Sequence, residues 1–122
     1  MSEKIAKYGN KSIRQCFNSV RDSVHQNAID HGWHDKPREI GTTLMLCVCE
    51  LTEAMEEHRD HRDTDEIYYK GDKPEGIPIE IADCIIRLLD FCGKENIDIG
   101  KAINIKHSFN INRPYMHGNK AC

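Results

Sequence analysis

No apolar run in this chain approaches the roughly 18 residues that a membrane-spanning helix needs. The opening Met-Ser-Glu-Lys-Ile lacks the apolar stretch of a signal peptide. There is no C-x-x-C and no H-E-x-x-H, which argues against the commoner zinc patterns, and His58 and His61 fall in a polar stretch where solvent exposure is expected. No Glu is followed three residues later by His, so the di-iron carboxylate bundle lacks its signature. A net charge of only −3 excludes a whole-molecule polyanion binder, and the few bases make nucleic acid an unattractive partner. No stretch reads as a convincing strand, internal repeat or low-complexity segment.

What the chain does have begins with length. At 122 residues it is one domain, residues 1–122, with a modest core that association would help to complete. Its six cysteines include Cys47, Cys84 and Cys92 inside apolar helical patterns, where a thiol behaves as a small hydrophobe. They read as reduced thiols of a cytoplasmic protein. Charge is unevenly spread. Residues 50–66 are rich in Asp and Glu, whereas residues 101–120 carry Lys101, Lys106, Arg113 and Lys120 against no acid. That pairing suits a metal–phosphate ligand, although charge clusters are commonly just solvated faces.

The periodicity is helical. Ile13, Phe17, Val20, Val24 and Ala28 recur at three- and four-residue steps and predict a helix over residues 11–31, with Gly32 placed to stop it. Ile40, Leu44, Cys47 or Val48, Leu51 and Met55 predict a second helix over roughly residues 38–60. Residues 61–76 hold Asp, Gly, Lys and Pro without periodicity and read as a mobile loop. A third helix runs over residues 78–95, with Pro78 in its first turn. It is apolar almost all round except for the stripe Glu80, Asp83, Arg87 and Asp90, as a central helix would be. Asp98 is a candidate N-cap for a fourth helix reaching Asn110, and Arg113-Pro114 closes it. The expected fold class is therefore all-α, an antiparallel bundle of about four helices.

Four carboxylates stand out within this frame: Glu50-Leu51-Thr52-Glu53, an E-x-x-E, and Glu80-Ile81-Ala82-Asp83, an E-x-x-D. Residues three apart share a helix face, so each pair points two acids at one place. Clustered anions in a partly dry site repel unless neutralised, and a hard divalent cation that prefers carboxylate and phosphate oxygens is the natural partner. Surface salt bridges within each helix are the plainer alternative. Few bases are placed to make them; Arg87, four residues after Asp83, is the one expected to brace it.

The order E-x-x-E, loop, E-x-x-D, then Lys106-His107-x-x-Asn110-x-x-Arg113-Pro114-Tyr115 resembles the MazG-like nucleoside triphosphate pyrophosphohydrolases of the all-α NTP pyrophosphatase group. The stretch Lys73-Pro74-Glu75-Gly76-Ile77-Pro78-Ile79-Glu80-Ile81-Ala82-Asp83 is similar to small members of that family. The likeness spans roughly residues 30–120. It implies a homodimer or homotetramer that splits an NTP or dNTP into the monophosphate and pyrophosphate. It also implies magnesium, with manganese as a possible substitute, held by Glu50, Glu53, Glu80 and Asp83.

One position departs: Cys49 stands where the family often has a further Glu, which leaves the metal number and the division of roles open. Glu53 is the candidate general base from its place in the pattern. Lys106, Asn110 and Arg113, on one face of the fourth helix, are candidates for the phosphates, with Tyr115 and Lys120 closing over the ligand. Trp33, the only tryptophan, either stacks on a base or seals the end of the bundle, and Arg38 is a further phosphate candidate. The rival function is a non-catalytic helical module that senses nucleotides or binds a partner.

Overall fold

The computed structural model describes residues 7–8 and 11–115, and among them it holds four helices and two small antiparallel strand pairs. Strands β1 (Lys7–Tyr8) and β2 (Lys11–Ser12) lead into α1 (Ile13–Asp30), followed by α2 (Ile40–Arg59), β3 (Tyr68–Lys70), β4 (Lys73–Glu75), α3 (Ile77–Lys94) and α4 (Ile99–Ile111). The protein is a helical bundle, and none of its described helices is long and apolar enough to cross a membrane. The proposed closing residue Lys120 lies outside the described residues.

Each helix ends where its own sequence dictates. Ser12 caps α1 through a capping box with Gln15, satisfying two backbone donors that the first turn leaves open. At the other end Gly32 adopts φ 77°; its N–H donates to the Ile29 carbonyl (3.0 Å) and the Trp33 N–H to the Ala28 carbonyl (3.0 Å). This is a Schellman ending, which turns the chain sharply and sets Trp33 and His34 beside the bundle. His61 after α2 and Asn96 after α3 take the same left-handed conformation and make the same pair of bonds. As expected, Asp98 caps α4, accepting from the Lys101 N–H at 3.0 Å.

α3 is central, packing on α1, on α2 and on the β4 strand, while α4 packs on α1. The core is slight: Ile13, Ala28, Cys47, Cys84, Leu89 and Cys92 are its buried apolar residues, and no large side chain among the described residues is fully enclosed. Ile40, Leu44, Val48, Leu51 and Met55 instead run as an exposed stripe along α2, and Ile81, Ile85 and Leu88 do so along α3.

The loop expected over residues 61–76 is corrected by the structure: half of it is a hairpin, with Tyr68 opposite Glu75, Tyr69 opposite Pro74 and Lys70 opposite Lys73. The reason is local. Gly71 takes φ 61° while Asp72 does not, matching a two-residue II′ turn, and Pro74 is tolerated because a two-stranded ribbon is all edge. Tyr68 anchors the ribbon to α2: its hydroxyl donates to Glu57 at 2.8 Å, and the Arg62 guanidinium lies 3.7 Å from its ring centre.

The α1–α4 junction turns on Asp98, which accepts from Asn18 Nδ2 (2.9 Å), from the Lys101 N–H and from Arg14. These donors hold its carboxyl down at about 2, from an ordinary 3.8. A depressed carboxyl stabilises the fold at every pH above its unfolded value and loses that effect as pH falls through its folded one. Asp98→Asn should therefore lower the melting temperature at pH 7. The gap to the parent chain should close between about pH 4 and about pH 2. Thermal unfolding followed by circular dichroism across that range checks it.

Candidate metal centre

α2 and α3 lie side by side, and their facing sides carry the acids. One carboxylate oxygen each from Glu50, Glu80 and Asp83 falls within 4.8 Å of the others. Glu53 adjoins Glu50 and Glu80 on the α2 side but is not part of that close trio. Three of the four acids picked out by spacing thus meet within a single chain, with Glu53 beside them. Glu50 and Glu80 are buried, Asp83 is half-buried, and Glu53 sits at the exposed rim.

Their electrostatics differ with their neighbours. Burial pushes Glu50 up, but the Arg87 hydrogen bond (Nε to Oε1, 2.6 Å), the adjoining Glu53 and the Arg87 charge carry it below the ordinary value. Glu80 has no such cation. Burial first, then Glu53, Asp83 and Glu50, push its carboxyl up to about 8. Burial and the Glu50 charge also raise Asp83, with Arg87 and Lys73 opposing. The brace expected between Arg87 and Asp83 is corrected: the guanidinium reaches across to Glu50 on α2 and acts on Asp83 only through its field. A bond between helices satisfies a buried carboxylate that water cannot reach, which outweighs an exposed i,i+4 pair.

The residues fit a hard divalent ion on a direct observation: Glu80 Oε2 is buried and has no hydrogen-bond partner. A buried oxygen without a donor is costly, and a cation beside it would supply the missing partner. The donor set is all oxygen, as magnesium prefers. Two acids missed in the sequence enlarge the patch. Glu57 on α2 and Glu75 at the end of β4 each bring an oxygen within 4.8 Å of Glu80 and of one another. Glu57 was legible, standing four residues after Glu53 on the same face. Glu75 was hidden, because it precedes α3 in a stretch without periodicity, where helix spacing says nothing of its direction; Lys73 lies beside it at 3.1 Å.

Next to the acids lies a cavity of about 600 Å³ between the connection after α1 and α3. Trp33, Lys36, Arg38, Arg87, Asp90 and Lys94 are among its walls. Arg87 therefore belongs to both the cavity and the acidic cluster. Trp33 is half exposed on the cavity wall and does not seal the bundle. Lys106, Asn110 and Arg113 are not brought to this place within one chain. Lys106 and Asn110 ride on α4, which packs on α1; Arg113, expected on the same helix face, is corrected, because the helix ends at Ile111 and Arg113 lies beyond its cap. Lys106 and Arg113 nevertheless gather over the exposed Phe109 ring at 4.7 and 5.5 Å. Tyr115, 90 % exposed, is equally remote from any packed surface. Compared with protein-family models, with curated proteins and with solved structures, the chain shows no significant match.

Glu80 makes the metal-free protein sensitive to alkali. Between its ordinary 4.5 and about 8 the folded chain holds a proton that the unfolded chain does not, so stability falls as pH rises through that window. In chelator, Glu80→Gln should melt at or above the parent's temperature at pH 9 and show a flatter pH profile. Added magnesium should raise the parent's melting temperature by several degrees and leave the variant's nearly unchanged. Differential scanning calorimetry with and without magnesium measures both.

Proposed function

We propose that the protein is a magnesium-dependent pyrophosphohydrolase of nucleoside or deoxynucleoside triphosphates, with a MazG-like all-α bundle. The observation that supports it most is the partnerless buried oxygen of Glu80 amid Glu50, Glu53 and Asp83. The E-x-x-E…E-x-x-D order and the Lys106–Asn110–Arg113 spacing add to it.

Glu50, Glu80 and Asp83 would hold the ion, with Glu53 at the rim. When bound, magnesium supplies charge for phosphate oxygens and polarises water. Arg87 keeps Glu50 ionised and so keeps it a ligand. Water attacks the α-phosphorus, the bond to the β-phosphate oxygen breaks, and the monophosphate and pyrophosphate result. Glu53 accepts the proton of that water, since it alone of the quartet is exposed. Trp33 and Arg38 line the cavity where the rest of the nucleotide lies, with Lys36 and Lys94 offering further positive charge.

A second copy of the chain completes this picture. The apolar stripes of α2 and α3 are a surface that an isolated chain would leave in water. Lys106, Asn110 and Arg113 meet no acid of their own chain's cluster, so a homodimer or homotetramer would bring them over a partner's phosphates. A nucleotide-sensing module is the second reading; Cys49, exposed on α2 beside Glu50, favours it by removing a possible acid.

Chromatography of a nucleotide panel incubated with magnesium should show monophosphate and pyrophosphate in equal amounts. Glu53→Gln should cut turnover by about 100-fold or more while magnesium still raises the melting temperature. Intact nucleotide throughout, with binding retained, would favour the sensor. A further outcome concerns subunits. Glu80→Gln and Lys106→Ala, each inactive alone, should recover about a quarter of parental activity when co-refolded, if each site draws on both copies of a symmetric dimer. A clean monomer by light scattering, or no recovery on mixing, would place all the working residues in one chain.

A further inference from the structure

A second cluster lies two helical turns along α3 from the acids and differs from them in chemistry. His25 on α1, His34 in the connection after α1, and Asp90 on α3 converge from three separate segments. His25 Nδ1 and His34 Nε2 both lie 2.8 Å from the same oxygen, Asp90 Oδ1, and His34 Nε2 lies 3.0 Å from Oδ2. The two rings meet edge to face with centres 5.0 Å apart. All three side chains are largely sheltered, with 13–22 % exposure.

We propose that His25, His34 and Asp90 form a binding site for a transition-metal ion of the zinc class, separate from the carboxylate centre. The donor set is two imidazole nitrogens and one carboxylate oxygen, which suits zinc, cobalt, nickel or iron and not magnesium. The spacing also suits them. Zinc bonds of about 2.0–2.1 Å in a tetrahedron place neighbouring ligand atoms about 3.3 Å apart, so the observed 2.8 Å needs an opening of only about half an ångström. Oδ1 is shared by His25 Nδ1 and His34 Nε2, and His34 Nε2 also reaches Oδ2, so one nitrogen from each ring and both carboxylate oxygens gather around a common point.

The backbone is arranged to permit this meeting. A Cβ on Gly93 would collide with the Cβ and ring of His25, so the missing side chain lets α1 approach α3 one turn from Asp90. The Schellman ending at Gly32 brings His34 back over α3. His34 and Asp90 also line the cavity of about 600 Å³, which provides an entry path and room for water in the remaining ligand positions. Asp90 follows Asp83 by seven residues, or about 10 Å along the helix axis, too far for one ion to serve both clusters.

The test uses the full chain without an affinity tag, stripped with chelator and then saturated with magnesium to occupy the carboxylates. Calorimetric titration with zinc, and cobalt titration followed by its visible absorption, should each give about one equivalent per chain. His34→Ala, in the connection and not in a packed helix, and Asp90→Asn should each weaken binding by about 100-fold or more and abolish the cobalt spectrum. Glu80→Gln should leave both unchanged. Circular dichroism verifies that each variant is folded; if Asp90→Asn is not, His34→Ala alone decides. Less than stoichiometric zinc, unaltered affinity in His34→Ala, or loss of the cobalt signal in Glu80→Gln would overturn the proposal.

Discussion

Crowded negative charge between two helices is the constraint that organises this molecule. Glu50, Glu53, Glu80 and Asp83, joined by Glu57 and Glu75, occupy a small volume, and two of the central four are buried. At an effective dielectric constant near 20, two like charges about 4 Å apart repel by about 4 kcal/mol. The fold relieves this with one cation drawn across from α3, Arg87, and with a proton retained on Glu80. No other group donates a hydrogen bond to the buried Glu80 Oε2. Such an arrangement stores unfavourable interaction where a bound cation would release it, consistent with marginal native stability and a slight apolar core.

The rest of the bundle holds α2 and α3 at this separation. α1 packs on α3, with the Gly93 gap allowing close approach, and α4 locks onto α1 through Asp98. The connection after α1 turns at Gly32 and forms one wall of the cavity, of which Arg87 forms another. Arg87 thus faces in two directions, towards Glu50 and towards the cavity, so a phosphate entering there would compete with Glu50 for the guanidinium. Charge in the cavity and charge on the acids are coupled through that one side chain.

Much of this was legible in the chain because it is local. The helices fall close to their expected bounds, since apolar periodicity, the Ser12 box, Gly32 and Asp98 are short-range signals. The facing of Glu50–Glu53 with Glu80–Asp83 followed once both pairs lay on helices that pack together. What escaped depends on folding back over distance. The hairpin was overlooked because Gly71-Asp72 is a two-residue signal in a polar stretch, and Glu75 stands in that same stretch without periodicity. The Arg87 partner was misassigned because helix spacing reports neighbours within α3, whereas Glu50 is 37 residues away. The convergence of His25, His34 and Asp90 has no sequence spacing at all, since three segments supply it.

The short join between β4 and α3 carries a consequence for how this chain can change over generations. Glu75 is paired with Tyr68 across the ribbon and joined through Gly76 to the start of α3. Length at the Gly71-Asp72 tip can therefore drift, as a longer turn closes the same strands. Between Glu75 and Ile77 it cannot: a residue added there would carry Glu75 away from Glu80 and alter the ionic character of the bundle without touching the interior of any helix.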